Sequence, residues 1–78
     1  MKRHRDLIQL ILEYVECKGN GHSLSDPTPD EYCEKDVRYH IRLCKEAGFV
    51  HTSGTKRPAL VSLTWAGHEE LDRMRGEA

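Results

Sequence analysis

The stretch from Asp36 to Val50, Asp-Val-Arg-Tyr-His-Ile-Arg-Leu-Cys-Lys-Glu-Ala-Gly-Phe-Val, constrains the fold more than any other part of the chain. At about 100° per residue, Val37, His40, Ile41, Leu43, Cys44 and Ala47 fall on one broad side of a helix, while Arg38, Arg42 and Lys45 gather on the opposite side. One side needs a core and the other carries a positive stripe. Gly48 supplies a residue able to take φ > 0 and stop the helix, and Phe49 beyond it can fold back onto the last turn. The chain is therefore expected to turn here and leave as a strand.

A helix of that kind needs partners, and 78 residues provide a single small domain. At this size only about 60% of the unfolded surface is buried, so stability is modest and a dimer would add to it. Residues 1–4 form a basic arm that includes Lys2 and Arg3, and a first helix is expected over 5–18, with Arg5 at its start. Leu7, Leu10, Ile11 and Tyr14 lie at i, i+3, i+4 and i+7, and Ile8, Leu12 and Val15 form a second stripe beside them. So wide an apolar arc suits either a central helix packed on two sides or a homodimer seam through Ile8, Leu12 and Val15.

Gly19-Asn20-Gly21 ends this helix, with Gly19 as a left-handed terminator, and residues 22–26 have the length of a short edge strand. Thr28-Pro29-Asp30-Glu31 combines an N-cap residue, proline at the first helical position and Glu at capping-box spacing, which predicts a short helix over 29–34. Whether it joins the helix expected over 35–47 stays open. After Val50 the period changes. Phe49 to Thr52 and Leu60 to Leu63 are strand-like and enclose Ser53-Gly54-Thr55-Lys56-Arg57-Pro58, giving a hairpin over 49–64. Thr64 is expected to cap a last helix over 65–75, in which Gly67, Leu71 and Met74 share the inward side and Trp65 anchors the joint.

The sequence argues against several function classes. Gln9, Glu13 and Glu16 interrupt the most apolar segment, so no run approaches the roughly 18 apolar residues of a membrane span, and no targeting segment is evident. Three cysteines without a secretory signal read as reduced thiols, and the expected location is the cytoplasm. His40 and Cys44 have i, i+4 spacing, but they lie on the core side and lack a partner pair, so neither a metal nor a cofactor is expected. No Gly-x-Ser-x-Gly elbow or phosphate loop is present, and no enzyme is expected.

The order of these elements resembles the winged helix-turn-helix domain. The residues carrying the resemblance are Val37 to Ile41, Cys44, Glu46-Ala47-Gly48-Phe49-Val50 and Leu63-Thr64-Trp65-Ala66-Gly67-His68-Glu69-Glu70-Leu71, similar to segments of MarR- and ArsR-type regulators. Nearly the whole chain also resembles an uncharacterised family of small phage and bacterial proteins. The residues in question are Met1-Lys2-Arg3, Asp6-Leu7-Ile8, Ile11-Leu12, Val37-x-Tyr39-His40, Ala47-Gly48 and Leu63-Thr64-Trp65-x-Gly67-His68. The resemblance implies an α+β winged helix with three to four helices and a two- or three-stranded antiparallel wing sheet.

The resemblance brings no established function with it; the winged-helix fold and the placement of the cations lead to the expectation of a small phage-type transcriptional regulator that binds double-stranded DNA. Mapped onto this chain, Lys35, Arg38, Tyr39, Arg42 and Lys45 would lie on the recognition helix, Lys56 and Arg57 on the wing, and Lys2, Arg3 and Arg5 on the arm. Neutralising five phosphates predicts a salt slope near about −4.5. Against it stand a net charge of −1 and the acids Asp26, Asp30, Glu31, Glu34 and Asp36, which would repel phosphate. A solvated charged helix face, or the same fold used as a protein-interaction module, are the alternatives.

Overall fold

Helix α1 (Arg5–Lys18) is the axis on which the other elements pack. A computed structural model describes residues 3–19, 23–54 and 59–76 of the chain. Leu7, Ile8, Ile11, Leu12 and Val15 of α1 are all buried, which takes a wide arc of the helix into the core. Three elements cover that arc: α1 packs against α2 (Glu34–Glu46), against β2 (Ala59–Leu63) and against α3 (Trp65–Met74). Ile8, Leu12 and Val15, the second stripe of α1, are only 6%, 0% and 1% exposed within a single chain, the arrangement expected of a central helix packed on two sides.

Helix α2 contributes Val37, Ile41 and Cys44 to the same core, the sheet contributes Val50 and Leu60, and α3 contributes Leu71. Removing any one of the fully buried leucines or isoleucines to alanine costs about 2–5 kcal/mol in a core of this kind. The sheet is a two-stranded antiparallel hairpin of β1 (Val50–Ser53) and β2, pairing Val50 with Leu63, His51 with Ser62, Thr52 with Leu60 and Ser53 with Ala59. The register shifts between His51 and Thr52, leaving Val61 as the extra residue of a bulge. No third strand forms among the described residues. Residues 23–26 approach the sheet through one backbone bond, in which Leu24 N–H donates to the Leu60 carbonyl at 2.8 Å, and Ser23 Oγ meets Ser53 Oγ at 2.7 Å.

The short helix expected over 29–34 is absent, and only a turn at Asp30–Glu31 remains. Pro27 and Pro29 hold the residues before them out of the helical region. Cys33 is extended at φ −81° and ψ 164° as the N-cap of α2, so too few residues are left between Pro29 and Cys33 to nucleate a helix. The segment is anchored by side chains instead. Tyr14 Oη donates to the Ser25 carbonyl at 2.7 Å, Pro27 is buried, and Tyr32 lies tilted against His4 with ring centroids 5.6 Å apart. Gly19, expected to be left-handed, ends α1 in an extended conformation with φ −67°, its N–H donating to the Val15 carbonyl at 2.7 Å.

Candidate nucleic-acid interface

The end of α2 fixes how its outward side is aimed. Ala47 is the C-cap and Gly48 takes φ 79°, the left-handed conformation that favours glycine. Gly48 N–H donates to the Lys45 carbonyl at 3.0 Å and Phe49 N–H to the Cys44 carbonyl at 2.9 Å, the paired bonds of a Schellman motif. Thr64 then joins this corner to α3. Its N–H donates to the Phe49 carbonyl at 3.0 Å, its hydroxyl donates to the Gly48 carbonyl, and the same oxygen accepts from Gly67 N–H at 3.0 Å as the N-cap of α3. The Leu-Thr-x-x-Gly pattern thus has a physical basis: threonine caps α3 and closes α2, and a residue without Cβ lets the two corners meet.

His40 fixes the other end. It is fully buried beside the start of α1; its Nε2 accepts from His4 N–H at 2.8 Å, which leaves Nδ1 as the protonated nitrogen donating to the Asp36 carbonyl at 2.7 Å. The ring stacks on His4 at 5.6 Å and takes the edge of Tyr39 at 5.5 Å. Both ring nitrogens are engaged, so His40 is a structural histidine that ties the entry of α1 to α2. Cys44, one turn further on, is also internal, and burial pushes its thiol from 9.0 up to about 12. Among the described residues no group of three or more His, Cys, Asp or Glu is arranged to hold a metal ion.

With its apolar side spent on the core, α2 presents Lys35, Arg42 and Lys45 to solvent, and Tyr39 half-buried between them. Arg38 stands apart. It was expected among the contacting residues, but its Nη1 lies 2.9 Å from Asp26 Oδ1, and both side chains are only 19% exposed. It holds the 23–29 segment against α2. Glu46 is exposed at the end of the same helix and closes the positive stripe. Of the acids expected to repel phosphate, Asp26 is engaged by Arg38, and Asp36 accepts from Cys33 Sγ at 3.4 Å in the first turn, where the helix dipole favours Glu34 and Asp36. Asp30 and Glu31 are exposed.

Arg3 and Arg5 line a groove of about 390 Å³ together with Ile8, Leu43, Phe49, Glu46 and Glu70. Lys2, Lys56 and Arg57 lie outside the described residues. At the far end of α3, Arg75 reaches Glu16 at 2.9 Å and Glu13 at 3.3 Å, and the Glu16 hydrogen bond holds its guanidinium above the usual arginine range. Trp65 does not anchor the joint as its position suggested; it is 82% exposed, with Nε1–H donating to Glu69 Oε1 at 2.9 Å. Its phase shows why: it lies about 200° round the helix from Gly67, on the side opposite the core.

The described residues form three helices and a two-stranded antiparallel sheet, a mixed α+β domain. Residues 2–78 match the family described as hypothetical protein (DUF2513), and the chain belongs to that family. An uncharacterized protein of Haemophilus influenzae is 34% identical over 85 aligned residues, covering 99% of this chain and 70% of the relative. No solved structure matches. Among the described residues no helix is long and apolar enough to cross a membrane.

Proposed function

We propose that this chain is a winged-helix DNA-binding protein, a small phage-type transcriptional regulator that lays α2 in the major groove. The supporting observation is the division of α2 into a side that buries Val37, His40, Ile41 and Cys44 and a side where Lys35, Arg42 and Lys45 are all exposed. At 1.5 Å per residue these cations spread over about 15 Å of helix axis. The major groove, about 12 Å wide, admits a helix with its side chains. Arg42 is the candidate for guanine O6 and N7, Tyr39 offers a hydroxyl, and Lys35 and Lys45 serve phosphates. Arg3 and Arg5, with Lys2, Lys56 and Arg57, would add backbone contacts from the arm and the β1–β2 connection. Arg38 acts in this scheme as the latch that braces α2.

A titration of labelled duplex DNA with the folded protein at several salt concentrations tests it. Two α2 cations on phosphate predict a slope of log affinity against log salt of about −1.8, steeper where arm and loop cations join; Lys45→Ala reduces its magnitude by about 1, and Arg42→Ala costs about 1–3 kcal/mol of discrimination at the contacted base. Absence of binding to any duplex at low salt would remove the proposal.

A further inference from the structure

We propose that the outward side of α3, built on Trp65, Glu69 and Asp72, is a docking surface for an arginine- or lysine-bearing segment of a partner protein. The surface is separate from α2 and does not rest on DNA binding. Trp65, Glu69 and Asp72 stand at i, i+4 and i+7, within about 60° of one another on the helix, and all three are exposed. The inward side is already occupied by Gly67 and Leu71. At 82% exposure the indole leaves on the order of 150–200 Å² of surface in water, an outlay that no core contact explains.

The ring is also hydrogen-bonded along its own helix. Its Nε1–H donates to Glu69 Oε1 at 2.9 Å, which spends the only polar atom of the indole and presents the π face ready-made. A carboxylate at the ring edge with a second one turn away gives a site that attracts cations twice, through the ring quadrupole and through two negative charges. The cations of α3 are used elsewhere: Arg73 pairs with Glu70 at 2.7 Å, and Arg75 bridges to Glu13 and Glu16. Among the described residues neither Glu69 nor Asp72 has an ion-pair partner, so the surface keeps its negative charge. That charge disfavours nucleic acid and anionic lipid and selects a basic polypeptide segment.

The chain contains one tryptophan, so intrinsic fluorescence reports on this surface alone. The full chain at low salt is titrated with a short arginine–glycine repeat peptide, and with a glutamate–glycine repeat as control. The expected result is a saturable change in Trp65 emission with the arginine peptide only. Affinity should fall with added salt and by about two- to fivefold in Glu69→Gln and in Asp72→Asn. Trp65→Leu, followed by calorimetry, should lose a similar factor. All three positions are exposed, and circular dichroism checks that each variant is folded. No response to the arginine peptide, an equal response to the glutamate peptide, or undiminished affinity in the Glu69→Gln/Asp72→Asn double variant would overturn the proposal. An emission change that follows protein concentration without peptide would assign the surface to a second copy and overturn it equally.

Discussion

Replacing Gly67 by alanine sets two effects of opposite sign against each other. Helix propensity alone favours alanine by about 1 kcal/mol. The packing at the α2–α3 corner opposes it, because a Cβ on Gly67 would lie 1.9 Å from the Phe49 carbonyl oxygen and 2.9 Å from its carbonyl carbon. Backbone atoms cannot rotate aside, so α3 has to withdraw by at least about 1 Å, and close-packed interiors resist such displacement. That movement breaks the 3.0 Å bond from Thr64 N–H to the Phe49 carbonyl and the link from the Thr64 hydroxyl to Gly48. Two lost hydrogen bonds cost about 1 kcal/mol each, and overpacking adds about 1–3. Set against the propensity gain, the net loss is about 2–4 kcal/mol. A domain of 78 residues has on the order of 4–12 kcal/mol in all. The melting temperature of Gly67→Ala should therefore fall by roughly 10–30 °C in a calorimetric scan. A variant as stable as the parent, or more stable, would refute the close approach and with it the fixed angle between α2 and the end of the hairpin.

Other consequences follow from single side chains. Arg38→Ala should lower stability by about 1.5–3 kcal/mol in urea unfolding by removing a charge-assisted hydrogen bond to Asp26 between two largely buried side chains, whereas Arg42→Ala, at an exposed position, should stay within about 0.5. Nitrogen chemical shifts of the His40 ring should report a neutral imidazole protonated at Nδ1, and His40→Leu, which strands His4 N–H, should destabilise by about 1–3 kcal/mol. Thiol labelling of the native protein at mildly alkaline pH should modify Cys17 and Cys33 readily and Cys44 only on unfolding. The folded chain keeps the Cys44 proton to about pH 12, whereas the unfolded thiol releases it near 9.0, so stability should decline with rising pH across that window. In Cys44→Ala that component of the decline should vanish.

The elements with strong local signals were legible in the sequence. The Leu7-Ile8-Ile11-Leu12-Val15 arc marks α1, and its two-sided width distinguishes a central helix from a surface one, although periodicity cannot say whether the second side meets the same chain or another. The Gly48-Phe49 corner and the Thr64 cap are local motifs and form as such. The 29–34 helix failed because a capping signal sets only where a helix can begin; the two prolines and the extended Cys33 decide that none has room to grow. Arg38 was misplaced for a different reason. Its partner, Asp26, is twelve positions away with no helical spacing to announce it, and a charge stripe read from one helix cannot show which of its members a neighbouring segment takes up. Trp65 carried a signal that hydrophobicity obscured, since its phase relative to Gly67 and Leu71 already turns it away from the core.

Amide chemical-shift mapping during titration with duplex DNA addresses the proposed role of α2 most directly. Shifts that grow saturably at Lys35, Tyr39, Arg42 and Lys45, and leave Trp65 to Met74 unchanged, are the predicted pattern. Shifts centred on α3, or none anywhere while the protein remains folded, would contradict it.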